Sequence, residues 1–90
     1  MPTDEFVWPP RSAFRLYDED FVSILSIARG LCGGSQYVTK AAVLKAFNQY
    51  CRACGVSVKV ETFLRKLRRY AAEGKYIEYT RRKGVYRVLV

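Results

Sequence analysis

Four of the five residues from 65 to 69 are arginine or lysine: Arg65, Lys66, Arg68 and Arg69, in "RKLRR". Guanidinium and ammonium groups at this density repel one another unless an anion is supplied. Phosphate suits them best, because charge-assisted and forked hydrogen bonds to phosphate oxygens are stronger than neutral ones. A second basic group, Arg81, Arg82 and Lys83, stands together just before Gly84. The remaining reactive side chains are the thiols of Cys32, Cys51 and Cys54, the last two in "CRAC". There is no histidine.

The thiols carry less than the cations. A structural zinc site wants four Cys or His ligands, and only three cysteines are present. A C-x-x-C pair is activated at a helix N-terminus, whereas "CRAC" falls at the C-terminal end of a helical pattern. Buried structural thiols are the first reading, and a disulfide among Cys32, Cys51 and Cys54 is the second. Acid–base catalysis has no histidine to use, and the few carboxylates are mostly in the leader and at the start of the first helix. "GLCGG" follows no strand and lacks the Lys-Ser/Thr partner of a phosphate loop. The chain therefore reads as a binding protein without a cofactor or a metal, not as an enzyme.

Charge is divided unevenly. Residues 1–45 hold five Lys or Arg against five Asp or Glu, residues 46–90 hold eleven against three, and the second half thus carries the whole net charge of +8. A domain charged on one side attracts polyanions, of which nucleic acid is the commonest. Half the 90 residues are hydrophobic, as in a single small globular domain. No apolar run approaches the roughly 20 residues that span a bilayer, and no secretory signal is evident. The expectation is an intracellular, cytoplasmic protein without membrane association.

The elements that must position these cations follow from periodicity. Residues 1–17 read as an N-terminal arm held extended by Pro9 and Pro10, with Phe6, Val7 and Trp8 in need of cover. Cover from a second copy would make a homodimer through the arm. Residues 18–90 read as the folded domain. The first helix is capped by Asp18, turns Phe21, Ile24, Leu25, Ala28 and Leu31 to one face, and ends at Gly33 and Gly34. The second, capped by Thr39 with Ser35 as a rival, buries Val43, Leu44, Phe47, Tyr50, Cys51 and Cys54, and ends at Gly55. The third, capped by Ser57 and closed by Gly74, buries Val60, Phe63, Leu64, Leu67, Tyr70 and Ala71. Its opposite face presents Glu61, Thr62, Arg65, Arg68 and Arg69, flanked by Lys59 and Lys66.

From Tyr76 onward the period changes to two. Tyr76–Thr80 and Val85–Val90 read as a hairpin around "RRKG", with Glu78 facing Arg87, Tyr79 facing Tyr86 and Ile77 facing Val88. That register puts Ile77, Tyr79, Tyr86 and Val88 on one face. Two strands alone are marginal, and "SQYV" is the candidate for a third.

"TKAAVLKAF", "VETFLRKLRRYA" and "EGKYIEYTRRKGVYRVLV", in this order, resemble the winged helix-turn-helix domain of many prokaryotic and archaeal transcriptional regulators. The likeness covers residues 20–90. It implies an α+β fold of three helices followed by a C-terminal β-hairpin wing, and sequence-specific binding of double-stranded DNA by a small regulator. Thr62, Arg65 and Arg69 would then read the major groove, and Arg81, Arg82 and Lys83 would contact the neighbouring backbone. The second helix looks longer than usual, and the arm has no counterpart in the family. Winged helices also serve as docking modules, and the alternative is a protein or RNA interaction domain.

Overall fold

The computed structural model describes residues 14–90. The expectations about Phe6, Val7, Trp8 and the two prolines lie outside the described residues. The elements run α1 (Asp18–Leu31), β1 (Tyr37–Thr39), α2 (Lys40–Cys54), α3 (Val60–Glu73), β2 (Ile77–Tyr79) and β3 (Val85–Val88). Three helices thus accompany an antiparallel three-stranded sheet of order β1-β3-β2. This is the expected α+β architecture, with a hairpin-like wing, and it is compatible with a winged-helix-type fold in general.

The hairpin register is as read from the alternation: Ile77 opposite Val88, Glu78 opposite Arg87 and Tyr79 opposite Tyr86. Arg87 Nε lies 2.7 Å from Glu78 Oε2, a contact of charge in which the N–H is not aligned as a hydrogen bond. The third strand, Tyr37–Thr39, begins within "SQYV" and runs one residue past it, pairing Tyr37 with Arg87, Val38 with Tyr86 and Thr39 with Val85. The Val88 N–H extends that ladder to the Gln36 carbonyl at 2.7 Å. Placing β3 in the centre gives it two partners, so the short hairpin does not stand alone.

Helix ends differ in part from the sequence reading. Thr39 does cap α2, its Oγ1 accepting the Ala42 N–H at 3.1 Å, and Gly55 ends the helix in the left-handed region at φ 67°. Asp18, expected as the cap of α1, is its first helical residue, and Tyr17 holds the N-cap position. Asp20 closes that end by reaching back to accept the Tyr17 N–H at 2.8 Å, one half of a capping box. For α3, Lys59 replaces Ser57 at the N-cap and no side chain caps it. The Val56 N–H bonds back to the Cys51 carbonyl and Val58 packs partly against the core, which leaves Ser57 in the connecting turn, two residues too early.

The core joins Phe21, Ile24, Leu25 and Ala28 of α1 to Val43, Ala46 and Phe47 of α2, Phe63, Leu67, Tyr70 and Ala71 of α3, and Val38, Ile77, Tyr86 and Val88 of the sheet. Leu16, in the stretch read as arm, is buried with them. Leu31, Cys54, Val60 and Tyr79 were expected inside and are exposed. Each is the first or last residue of its element, where no facing layer remains to cover it. The three thiols are free, Cys32 and Cys51 half-buried and Cys54 exposed. Burial pushes the Cys51 thiol up, which makes it a poor nucleophile.

A buried charge was not anticipated. Asp20 is 2% exposed, and besides the Tyr17 N–H it accepts the Tyr50 hydroxyl of α2. Its carboxylate, followed by burial, raises the ionisation of Tyr50 well above the tyrosine range. This polar tie joins α1 to α2 beside their apolar contact.

Candidate nucleic-acid interface

α3 is amphipathic along its whole length, and its apolar stripe settles which cations face out. Phe63, Leu67, Tyr70 and Ala71 are buried, which turns Thr62, Arg65, Arg68 and Arg69 outward, all four exposed. Glu61 stands on the same face, in the first turn where the helix dipole favours a carboxylate. Lys59 is exposed at the N-cap. Arg69 rests its guanidinium over the Tyr70 ring, 5.2 Å from the centroid.

Lys66 is placed apart from these. Its ammonium donates to the Leu16 carbonyl at 2.8 Å and lies 3.4 Å from Asp18 Oδ1, with its side chain 17% exposed. It fastens the approach to α1 onto α3 and belongs to the inner edge of the basic face. Asp18 is the hub here: it also accepts the Tyr70 hydroxyl at 2.5 Å and pairs with Lys75 at 3.3 Å. Lys66 and Lys75 both lie against the Tyr70 ring, at 5.3 and 4.9 Å from its centroid. The Tyr70 hydroxyl first, against the opposing effect of burial, and then the ammonium groups of Lys75 and Lys66 bring Asp18 from its ordinary 3.8 to about 2.

That depression has a stability consequence with a definite sign. A carboxylate whose folded pKa is lowered contributes stability that is full above its unfolded pKa and is lost as pH falls through the folded one. The contribution of Asp18 should therefore fade between about pH 4 and pH 2. In Asp18→Asn the fall in thermal midpoint across that window should be smaller than in the parent. Circular dichroism melts at half-unit steps measure it.

The wing tip is ordered by its own residues. The Thr80 hydroxyl donates to the Val85 carbonyl at 2.8 Å and accepts the Arg82 N–H at 3.1 Å. The Val85 N–H returns to the Arg82 carbonyl at 3.1 Å, and Gly84 takes the left-handed φ of 78° that the turn requires. From the other side, the Lys40 N–H at the start of α2 donates to the Gly84 carbonyl at 2.9 Å. Arg81, Arg82 and Lys83 are all exposed on this fixed turn. These four bonds tie the turn down.

α3 and the wing adjoin. α3 packs against β2 of the wing, and burial raises the pKa of the Tyr86 phenol on β3, with Tyr79 adding to this and the charge of Arg68 opposing it. On the other flank, Phe14, Arg15 and Leu16 form one wall of a cleft of about 260 Å³ whose opposite wall is Thr62, Arg65, Lys66 and Arg69. Phe14 is 79% exposed there. The sequence reading missed Arg15 and Lys40 as neighbours of the basic surface. Arg15 lay in a stretch without a period, and Lys40 reaches the wing tip only through the β1–β3 register.

Among the described residues, no group of three or more His, Cys, Asp or Glu could hold a metal ion, and no helix is long and apolar enough to cross a membrane. Comparison with protein-family models, with curated proteins and with solved structures gave no match. The fold is consistent with a small regulatory or interaction module.

Proposed function

We propose that this domain binds double-stranded DNA, with α3 in the major groove and the wing on the flanking backbone, and acts as a small transcriptional regulator. The observation that carries the reading is the division of the cations. Among the described residues, ion pairs engage Lys66, Lys75 and Arg87, and no ion pair draws in Arg65, Arg68, Arg69, Arg81, Arg82 or Lys83. Those six are exposed on two adjoining elements. A helix of ordinary width carrying outward arginines fits the major groove, where guanidinium can fork onto guanine edges or bind phosphate, and Thr62 can touch a thymine methyl. Lys59 at the start of α3 adds a phosphate contact. A regulator reading a two-fold operator would act as a homodimer, and the part of the arm of residues 1–17 that precedes the buried Leu16 is proposed to join two copies.

Fluorescence anisotropy of a labelled random duplex, titrated at several salt concentrations, tests it. The logarithm of affinity should fall linearly with the logarithm of salt, with a slope of about −0.9 for each phosphate neutralised. Folded protein that does not bind at low salt overturns the proposal.

A further inference from the structure

The surface between the wing tip and the start of α2 has a composition that duplex DNA does not match. A cleft of about 260 Å³ opens there, with Val85, Tyr86 and the ring of Tyr79 as its floor and Lys40, Arg82 and Lys83 at its rim. Tyr79 is 49% exposed, and its ring lies 5.6 Å from that of Tyr86 at an interplanar angle of 37°. No carboxylate lines the cleft. The volume is below the roughly 300–1,000 Å³ of pockets that enclose a drug-sized ligand, which leaves room for one planar ring and its substituent.

An aromatic, aliphatic floor beneath a cationic rim calls for a ligand that is flat and apolar at one end and anionic at the other. B-form duplex offers the anion but no free base face, since its bases are stacked on one another and only groove edges and backbone are accessible. Against duplex, the rim would find phosphate while the exposed face of Tyr79 stayed in water. An unstacked nucleotide matches both parts. Its base can lie on an aromatic ring, a contact any base can make because each has a π-face. Its phosphate then meets Lys40, Arg82 and Lys83. The backbone beneath the rim is preformed: the hydrogen bonds of Thr80, Arg82 and Val85, and that from the Lys40 N–H to Gly84, hold the turn that carries the cations, which lowers the part of the ordering cost that falls on the backbone.

We propose that this cleft binds a single unstacked nucleotide of a nucleic-acid strand, with the base on Tyr79 and the phosphate on Lys40, Arg82 and Lys83. This adds a single-strand subsite to the duplex-binding surface and rests on the wing, not on α3. A strand that leaves the duplex beside the wing, at an overhang, a nick or an opened pair, would be held there.

The test compares a blunt duplex, the same duplex with a short single-stranded overhang, and a free oligothymidylate, using fluorescence anisotropy. A 2-aminopurine in the overhang reports stacking by its quenching. The overhang should tighten binding by about 5- to 150-fold, the worth of one base on an aromatic ring, and 2-aminopurine should be quenched. Tyr79→Ala should remove both effects and leave blunt-duplex affinity unchanged, whereas Tyr79→Phe should keep both, because the ring and not the hydroxyl makes the contact. Equal affinity for blunt and overhung duplex overturns the proposal. So does a Tyr79→Ala variant that weakens both alike, which would make Tyr79 a duplex contact. Loss of blunt-duplex binding with Tyr79-dependent oligothymidylate binding retained would refute the duplex reading and support the cleft.

Discussion

Replacing Arg65 and Arg69 together by alanine should weaken duplex binding by about 30- to 25,000-fold at fixed salt, since each lost contact is worth roughly 1–3 kcal/mol. The slope of log affinity against log salt should also shrink by about 1.8 if both side chains neutralise phosphate. Both residues are exposed, and Arg69 gives up only its contact with the Tyr70 ring, worth about 0.5–1 kcal/mol at an exposed site. The fold should survive, which separates loss of binding from loss of structure.

The Arg65→Lys, Arg69→Lys variant divides phosphate contact from base reading. It keeps the charge and should keep most of the salt slope, but lysine cannot present the planar fork that grips a guanine edge. If α3 reads bases, preference among duplex sequences should collapse while random-duplex affinity changes little. If the arginines lie only on phosphate, preference should be untouched. Unchanged duplex affinity in the double alanine variant would remove α3 from the interface altogether, and Arg81, Arg82 and Lys83 would be the next residues to replace.

The spacing of apolar residues made the fold legible because it records direction. Val43 and Phe47, or Phe63, Leu67, Tyr70 and Ala71, recur at helical intervals only if one side meets a core, and all of them do. The hairpin register was legible for a related reason: only one alignment put Glu78 opposite Arg87 and kept Ile77 and Val88 together. What spacing does not record is where the facing layer stops. Leu31, Cys54, Val60 and Tyr79 continue their stripes past the edge of the core, and each is exposed.

The outward cations of α3 were legible by the same rule, as the side left over by the stripe. The distinction between Lys66 and its neighbours was not. It depends on Asp18 and the Leu16 carbonyl, forty-eight and fifty positions away in the chain, which meet Lys66 only once α1 packs on α3. Asp20 escaped for a comparable reason. In the sequence it is one of three acids in a first turn, and its burial depends on a tyrosine hydroxyl thirty residues later. Polar partners at long range leave no period behind.

The largest loss of stability should come from Phe63→Ala. Phe63 is fully buried, its ring stacked on Phe47 at 4.4 Å and 13° and tilted against Phe21 at 6.0 Å. One side chain thus joins all three helices. Truncation removes the ring's burial and leaves a cavity between helices that cannot close without moving α2, at a cost of about 3–5 kcal/mol. A domain of this size has about 5–15 kcal/mol in total, so the thermal midpoint should drop by roughly 12–40 °C. Phe63→Leu, which refills much of the space, should recover part of that loss. Phe63 and Arg65 are two positions apart on a helix and therefore point to nearly opposite sides. The alanine variant, measured well below its lowered midpoint, should hence bind duplex with near-parental affinity and salt slope. A binding loss that persisted in fully folded protein would mean that the α2–α3 packing sets the aim of the arginines, and not merely the survival of the helix that carries them.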